Sequence, residues 1–472
     1  MESRELEIGD WRLGDWGIER VENESPISDR QLQLISVAIE APGVTAVTFL
    51  HHARGRERFF WQAAHEAVAL AGFGVAADWR AWGAERFQSI EQQARTLFDG
   101  AIFEDGGQPL AAPRLFGGFS FADDFVPDNT WAFFHPAHFI LPHYQLAQVG
   151  EESWLTINAV VTLEEDVAET QSSLREALLA RLALLQSELL LMLPHATLVQ
   201  MDYPMPYAVW QEMIERATAV MRTGDFNKVV LSRVCELWFD GPVDVTGALA
   251  YLNQTYPDCY RFLFEPRPHH AFYGATPELL VQVDGRDLHT MALAGSIRRG
   301  QTAAEDESLA QELLASQKDA YEHAVVADSI RRRLTSLVAE LEVPEQPTVL
   351  RLGYIQHLYT PVYGRLPKPT GILPLVEILH PTPALGGAPR HLALPYITQA
   401  EPVPRGWYAA PVGTIDHHLD GAFAVGIRSA IAQDRRVWLH AGAGIVADSQ
   451  PQKEWDETAL KFRPMLNALG IA

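Results

Sequence analysis

The chain has 472 residues and a net charge of −23 at pH 7, from 37 basic and 60 acidic side chains. Its content of 47% hydrophobic and 21% charged residues is that of an ordinary globular protein. The negative charge argues against binding to nucleic acid or an anionic membrane surface, although a small anionic substrate responds only to its local pocket.

The sequence carries features typical of a cytoplasmic protein. No apolar stretch reaches the roughly 18 residues that a membrane-spanning helix needs. The N-terminus, Met-Glu-Ser-Arg-Glu, lacks the basic and then apolar pattern of a signal peptide. Cys235 and Cys259 both lie in apolar runs, which predicts buried free thiols in a reducing compartment.

The first half of the chain is predicted to be rich in strands. Residues 1–32 are polar and acidic and indicate an N-terminal tail, followed by two strand-like runs between 32 and 51 with a turn at Pro42-Gly43. Residues 194–206 are rich in proline and are the best candidate for a linker, so an N-terminal part spans 33–200 and a C-terminal part 201–472. Further strands are predicted at 59–61, 68–75, 116–121, 131–141, 144–149 and 154–163, and helices at Ala84–Phe98 and Asp166–Leu191.

The second half begins with a predicted helix, Ala208–Thr223, which ends at Gly224. Strands followed by helices in each half indicate an α+β fold rather than a βαβ repeat. The predicted strands are 227–238, 260–265, 270–274, 279–283, 287–294, 354–366, 407–416, 421–433 and 436–445, and the predicted helices are 303–315, 318–341, 373–379 and 452–469.

Lys228 is out of place in the strand 227–238, because a central strand should be apolar on both faces. Its side chain shares a face with Val230, Ser232 and Val234, since strand side chains alternate. A buried ammonium has to be paired or point at a ligand. Alternatively, Lys228 lies at the wet end of the strand and extends into solvent.

Three acidic residues are candidates for chemistry, each with a simpler surface alternative. Glu278 lies where a turn enters an apolar strand, and burial there would raise its pKa and make it a general acid. Glu322 extends the apolar stripe of the helix 318–341. Glu457 is either a solvated ion pair with Lys461, four residues on, or a second oxygen ligand beside Glu322 for Mg²⁺.

Two glycine-containing turns, at 294–296 and 441–446, would let backbone N–H groups approach an anion closely. They are not dinucleotide fingerprints, because no third glycine follows Gly444 at the required spacing. Arg428 is a second charge inside an apolar strand and could bind a carboxylate with both arms of its guanidinium.

Together these stretches resemble the chorismate-utilising enzymes, among which the isochorismate synthases are the most similar. The resemblance runs from about Tyr207 to Pro464, with a weaker match at 116–121. It rests on the motifs Lys228-Val-Val-Leu-Ser-Arg, Gly274-Ala-Thr-Pro-Glu-Leu-Leu, Leu293-Ala-Gly-Ser, Lys318-Asp-Ala-Tyr-Glu-His, Gln356-His-Leu, Leu379-His-Pro-Thr-Pro-Ala-Leu-Gly-Gly, Trp407-Tyr-Ala-Ala-Pro-Val-Gly, Ala424-Val-Gly-Ile-Arg-Ser-Ala, Ala441-Gly-Ala-Gly-Ile-Val and Glu454-Trp-Asp-Glu-Thr-Ala-Leu-Lys.

The resemblance implies one large α+β domain, with two antiparallel sheets packed face to face and helices outside, which overrides the division at the linker. It also implies that Glu322 and Glu457 bind Mg²⁺, which holds the ring carboxylate of the substrate chorismate. The remaining implied substrate-binding positions are Arg428, Lys461, Gly442 and Gly444 at the other carboxylate, Tyr408 and His357 beside the ring, and Gly295 and Ser296 at its substituents.

Within this family the nucleophile distinguishes the branches. Aminating members generally have a non-basic residue where Lys228 stands, because ammonia needs no base, whereas attack by water does. Aminodeoxychorismate synthases tend to carry a nucleophilic lysine where this chain has Ala294. The resemblance therefore implies an isochorismate synthase in which Lys228 activates water for attack at C2 and Glu278 protonates the departing C4 hydroxyl, with no glutamine amidotransferase subunit.

Two alternatives remain at the level of sequence. Salicylate synthases also eliminate pyruvate and carry Thr near the position of Ala384, whereas Ala384 and Leu385 look like the isochorismate-only members. A catalytically silent binding subunit is disfavoured because Lys228, Glu278 and both predicted metal ligands are present. The long N-terminal section favours menaquinone synthesis over a siderophore or salicylate pathway.

Overall fold

Two large β-sheets carry most of the chain in the computed structural model, which describes residues 32–187, 196–224, 226–353 and 355–471. Its strands are β1 (Leu32–Glu40), β2 (Arg58–Gln62), β3 (Val68–Phe73), β4 (Ala77–Ala81), β5 (Ile102–Glu104), β6 (Arg114–Phe119), β7 (Ala137–Leu141), β8 (Tyr144–Val149), β9 (Glu152–Thr162), β10 (Leu198–Asp202), β11 (Lys228–Phe239), β12 (Tyr260–Arg267), β13 (His270–Thr276), β14 (Leu279–Asp284), β15 (Asp287–Arg298), β16 (Glu340–Glu342), β17 (Thr348–Arg351), β18 (Ile355–Arg365), β19 (Gly387–Ala388), β20 (Pro411–Asp416), β21 (Gly421–Val425), β22 (Ser429–Gln433) and β23 (Arg436–Ile445). Its α-helices are α1 (Ala46–His52), α2 (Arg86–Phe98), α3 (Val167–Gln186), α4 (Tyr207–Thr223), α5 (Val245–Thr255), α6 (Ala303–Ala315), α7 (Gln317–Leu334), α8 (Leu373–Leu379), α9 (Arg390–Ala400) and α10 (Pro451–Ala468).

Both sheets are continuous from one half of the chain to the other. The 13-stranded sheet has the order β10-β11-β23-β22-β13-β12-β2-β3-β8-β9-β1-β5, with β19 paired to β11. The ten-stranded sheet has the order β16-β18-β15-β14-β21-β20-β6-β7-β4, with β17 paired to β18. The pairings β12–β2 and β20–β6, both antiparallel, join the halves, so the predicted single α+β domain is confirmed.

The sheets pack face to face through aromatic side chains, with helices on the outside. The ring of Phe59 on β2 lies 6.0 Å from that of Phe116 on β6, which links the two sheets across a shared apolar core. Helices α1, α3, α5 and α10 contact the 13-stranded sheet, while α2, α7 and α8 contact the ten-stranded one.

Residues 46–51, the end of a predicted strand-like run, lie in helix α1 instead. Thr45 begins this helix, its side chain accepting a hydrogen bond from the Thr48 N–H. Ala46, Phe49 and Leu50 are buried, at the spacing of one helix face. The prediction was wrong because the β-branched residues in this run dominate its local propensity, whereas the end cap and tertiary packing decide its structure.

The predicted linker is also wrong in its described part. Residues 198–202 form β10, which pairs antiparallel with β11 at the edge of the 13-stranded sheet. Helices α5 and α9 were missed by the sequence analysis. The predicted tail up to residue 31, and the predicted end of the helix 166–191 with Pro194, lie outside the described residues.

The predicted strand 421–433 is two strands, and they belong to different sheets. β21 lies in the ten-stranded sheet and β22 in the 13-stranded sheet, with residues 426–428 between them. The hydrophobic pattern continues through this break because both strands are buried, so Gly426 is the only local sign of it. The prediction that Arg428 lies inside a strand is therefore wrong. Arg428 lies in the link between two strands.

Cys235 and Cys259 are buried free thiols, as predicted. None of the helices in the described part of the chain combines the length and the apolar character needed to cross a membrane.

Candidate active site

Two adjacent links between the sheets form one corner of the site. Pro277 and Glu278 connect β13 of the 13-stranded sheet to β14 of the ten-stranded sheet, and residues 426–428 make the reverse connection. The links are joined by backbone hydrogen bonds from Val425 N–H to the Glu278 carbonyl (3.0 Å) and from Ala275 N–H to the Arg428 carbonyl (3.2 Å). Two of the predicted site residues thus meet where strands change sheets.

Arg428 adopts a left-handed backbone conformation, with φ of 51°. A non-glycine residue in this region costs about 1–3 kcal/mol and persists only where the surroundings enforce it. The neighbouring Gly274 leaves the necessary space, since a Cβ at this position would lie 2.6 Å from the Arg428 carbonyl oxygen. The strain is stored at the position that directs the predicted carboxylate-binding side chain into the pocket.

Glu278 has the properties of an acid that can be protonated near neutral pH. Its side chain lies in the pocket with only 4% of the residue exposed. Burial raises its pKa to about 7, against the opposing charges of Lys228, Arg428 and Lys461. The expectation from sequence that burial would raise this pKa is confirmed.

Lys228 is fully buried at the start of β11, so the alternative of a solvent-exposed strand end is excluded. Its Nζ lies 2.8 Å from Oε1 of Glu322, which is on α7. Burial alone would raise the pKa of Glu322, but the ammonium of Lys228, with those of Lys318 and Lys461, holds this pKa below its usual range. Gly444 makes the contact possible, because a Cβ there would lie 2.5 Å from the same carboxylate oxygen.

Helix α10 contributes a second ion pair between a glutamate and a lysine. Glu457 Oε1 lies 2.6 Å from Lys461 Nζ one turn further on, as the i, i+4 spacing predicts. Lys461 also donates to the carbonyl of Gly442 at 2.8 Å. On the same helix Glu454 is buried, 3.3 Å from Lys318 of α7, and burial together with the charge of Glu457 raises its pKa.

A bulge in β15 shapes part of the pocket wall next to α7. The register of β15 with β18 shifts between residues 294 and 296, and Gly295 adopts φ of 77°. Ser296 Oγ lies 2.9 Å from Nδ1 of His357 on β18. Burial lowers the pKa of His357 to about 3, so its ring is neutral. It can form hydrogen bonds with a ligand but no ion pair.

Tyr408 closes the pocket from the turn before β20. Its buried ring stacks on His440 at a centroid distance of 5.0 Å. A Cβ at Gly442 would approach the Tyr408 hydroxyl to 3.2 Å, so this glycine keeps the backbone of β23 close to the ring. Burial raises the pKa of Tyr408 to about 12, and the hydroxyl remains protonated.

One pocket brings together every predicted site residue except Lys228, which lies behind Glu322. Lys318 and Asp319 also line the pocket and were not predicted to do so, although both stand in the motif that contains Glu322. The predicted residues that line the pocket are Glu278, Gly295, Ser296, Glu322, His357, Ala384, Leu385, Tyr408, Arg428, Gly442, Gly444, Glu457 and Lys461.

The pocket has a donor set that suits a hard divalent cation. Glu322 and Glu457 present carboxylate oxygens from two helices, and three lysines surround them. No group of three or more metal-binding side chains occurs among the described residues. Carboxylate oxygens are the protein ligands that a hard cation such as Mg²⁺ prefers, and one or two of them are commonly enough.

The buried acid, the two carboxylates paired with lysines and Arg428 thus meet in one pocket. A family model described as "Chorismate binding enzyme" matches residues 20–470. The chain therefore belongs to the chorismate-binding enzymes.

Its relatives include characterised synthases of nearly the same length. It is 34% identical over 455 residues to isochorismate synthase MenF of Bacillus subtilis, covering 93% of each chain. It is 35% identical over 421 residues to the salicylate biosynthesis isochorismate synthase of Pseudomonas aeruginosa, covering 87% of this chain and 84% of the relative. The solved structure of MenF, the menaquinone-specific isochorismate synthase from Escherichia coli, superposes with a TM-score of 0.77 at 26% identity, covering 93% of this chain and 95% of that one.

Proposed function

We propose that this protein is an isochorismate synthase that converts chorismate to isochorismate with Mg²⁺, by attack of water at C2 and loss of the C4 hydroxyl. The observation that carries the proposal is the buried carboxyl of Glu278, whose pKa is about 7, in one pocket with Glu322, which binds the buried amine of Lys228 at 2.8 Å. An acid and a base must both be available near neutral pH to exchange one hydroxyl for another. Its relatives of similar length are isochorismate synthases, which supports the same reaction.

Each residue has a role that follows from its position. Glu278 gives its proton to the departing C4 oxygen. The ammonium of Lys228 has to release its proton as it separates from Glu322, and the neutral amine then takes a proton from the attacking water. Arg428 and Lys461 bind a substrate carboxylate, together with the backbone at Gly442 and Gly444, where the bulge-free end of β23 faces the pocket.

The opposite wall orients the ring. Ser296 and the neutral ring of His357, 2.9 Å apart, offer hydrogen bonds to the substituents of the substrate. Tyr408, Ala384 and Leu385 limit the space around the substrate ring. They exclude water from the face of the ring that they cover.

Glu322 and Glu457 would hold Mg²⁺, whose chemistry is to bind the ring carboxylate and withdraw electron density from the conjugated ring. Against the effect of burial, Lys228 holds the pKa of Glu322 below its usual range, and Glu457 is held 2.6 Å from Lys461. No titratable side chain other than these and their lysine partners is needed for the metal role.

We also propose that the isochorismate formed is used for menaquinone synthesis. The match to both MenF proteins spans 93% of the chain, including its N-terminal half. The sequence matches to the isochorismate synthases DhbC and EntC cover 55% and 56% of it, while the solved structure of DhbC from Bacillus anthracis covers 90% at a TM-score of 0.71, below the 0.77 of MenF. A salicylate synthase is the second candidate, and the small Ala384 with the apolar Leu385 in the pocket wall disfavours it.

The proposal is tested by identifying the product formed from chorismate with purified protein. Isochorismate alone is expected, with activity lost on chelation of Mg²⁺ and restored by its addition. Salicylate with pyruvate would assign the chain to the second candidate. Anthranilate formed only with ammonia, or no turnover at all, would contradict the proposed reaction.

A further inference from the structure

One edge of β11 changes its partner in the middle of the strand. This edge pairs with β19 at positions 228 and 229, and with β10 from position 236 onwards. The last backbone hydrogen bond to the β19 side runs from Val230 N–H to the Gly386 carbonyl, at 3.0 Å. Residues 382–386, which precede β19, form a loop that brings Ala384 and Leu385 to the pocket wall.

A buried ion pair occupies the gap on this edge. Arg405 Nη2 donates to the carbonyl of Val230 at 2.8 Å, and Glu401 Oε1 accepts from the Ser232 N–H at 2.7 Å. The two side chains hold each other through Nε to Oε2 (2.8 Å) and Nη2 to Oε1 (2.6 Å). They are 3% and 4% exposed, so the pair replaces the donor and acceptor of a missing neighbouring strand.

The guanidinium of Arg405 also forms a hydrogen bond to the loop 382–386. Arg405 Nη1 donates to the Leu385 carbonyl at 2.9 Å, and its Cζ lies 4.2 Å from the centroid of the Phe121 ring. Val230 and Leu385, the two residues whose carbonyls it joins, both line the pocket. A planar guanidinium can serve these acceptors and Glu401 at once, whereas a lysine ammonium cannot reproduce the arrangement.

We propose that Arg405, anchored by Glu401, is a positioning residue that fixes the loop 382–386 and thereby the pocket wall of Ala384 and Leu385. The inference rests on the proposed function for the identity of the substrate only. A loosened wall contacts the bound ring less well before and during reaction, so KM rises while kcat is retained. A general loss of stability acts differently, because it reduces the amount of active enzyme and leaves KM unchanged.

The test compares Arg405→Lys with a matched control, Arg58→Lys. Arg58 forms an equally buried pair with Glu265, at 2.5 Å with side chains 6% and 2% exposed, and lies outside the pocket lining. We expect KM for chorismate to rise about tenfold in Arg405→Lys, as for the loss of one charge-assisted hydrogen bond, and to stay unchanged in Arg58→Lys. Both variants should melt at lower temperature.

Amide hydrogen exchange of residues 382–388 provides a readout that needs no substrate. The N–H groups of Leu385 and Gly386 both donate to the Thr382 carbonyl at 3.0 Å, and their exchange should accelerate in Arg405→Lys but not in Arg58→Lys. Unchanged KM and unchanged exchange in folded Arg405→Lys would overturn the inference. Absence of turnover in the unmodified protein would count against the proposed function instead, and the exchange data would still decide on Arg405.

A second variant covers the case in which Arg405→Lys does not fold. Glu401→Gln keeps the size of the side chain and an oxygen acceptor for the Ser232 N–H, and weakens only the hold on the guanidinium. We expect the same changes in KM and exchange, to a smaller degree. A folded Glu401→Gln with both values unchanged would overturn the inference equally.

Discussion

The amine of Lys228 lies 2.8 Å from the carboxylate of Glu322, so the proposed base is joined to a proposed metal ligand. The two side chains come from β11 and α7, and they meet because Gly444 between them has no side chain. Metal binding and base chemistry are therefore coupled at one carboxylate. The effect of a substitution at Lys228 or Glu322 therefore has to be measured on both Mg²⁺ binding and turnover.

Lys228→Ala should abolish turnover of chorismate, because no other buried amine stands behind Glu322 among the described residues. Mg²⁺ binding, measured by calorimetry, should be retained or tightened, since the ammonium no longer competes with the cation for this carboxylate. The exposed Lys368, far from the pocket lining, provides the control Lys368→Ala. Normal turnover in Lys228→Ala would remove the assigned role, and weaker Mg²⁺ binding would contradict the competition.

Glu278→Gln should also abolish turnover, and kcat/KM of the unmodified protein should fall as pH rises above about 7, where the acid loses its proton. The pH dependence of the protein's stability provides an independent test of the raised pKa of Glu278. The folded-state pKa is raised from 4.5 to about 7, so the folded protein binds the proton more tightly and loses stability as pH rises through this interval.

The melting temperature of Glu278→Gln relative to the unmodified protein should therefore increase between pH 4.5 and about 7 and then level off. Glu345→Gln, at an exposed position, serves as the control and should show no such trend. A difference in melting temperature that does not vary with pH would mean that Glu278 is not an acid of raised pKa.

Gly444→Ala should separate Lys228 from Glu322. The added Cβ would lie 2.5 Å from Oε1 of Glu322 and 3.2 Å from Cε of Lys228, so at least one side chain must move. Because a small misplacement of catalytic groups can cost about a hundredfold in rate, we expect turnover to fall at least tenfold. Gly241→Ala, where the Cβ would meet only Ala196 at 3.8 Å, should leave the rate unchanged. Equal rates for both variants would refute the steric role of Gly444.

Lys318 should assist capture of the dianionic substrate by a strongly acidic protein. It lines the pocket with 44% of its side chain exposed, paired to Glu454 at 3.3 Å. We expect Lys318→Ala to lower kcat/KM about fivefold at low salt, with a flatter dependence on ionic strength. Stopped-flow measurement of chorismate binding at several salt concentrations checks this, and an unaltered salt dependence would contradict it.

The sequence predicted most of the residues that the fold brings into one pocket, but it did not predict the path of the chain that builds this pocket. Lys228 and Glu278 were identified because a charge within an apolar strand, or at its entry, is locally anomalous. Arg405 gave no such signal, because its partners Val230 and Leu385 are distant in sequence and offer only backbone carbonyls. The exchange of sheets at residues 426–428 was missed for the same reason, since the hydrogen bonds that define a sheet leave no local pattern when both strands are buried.

The pairings β12–β2 and β20–β6 give the N-terminal strands β2 and β6 a role beyond the folding of their own half of the chain. A fragment starting at residue 201 would keep every proposed catalytic side chain, yet it would expose two long rows of unsatisfied peptide groups. Such open edges recruit other chains, so the fragment should precipitate rather than act as a smaller catalyst. The strands upstream of residue 201 are therefore part of the support for the site, although they contribute none of its proposed catalytic side chains.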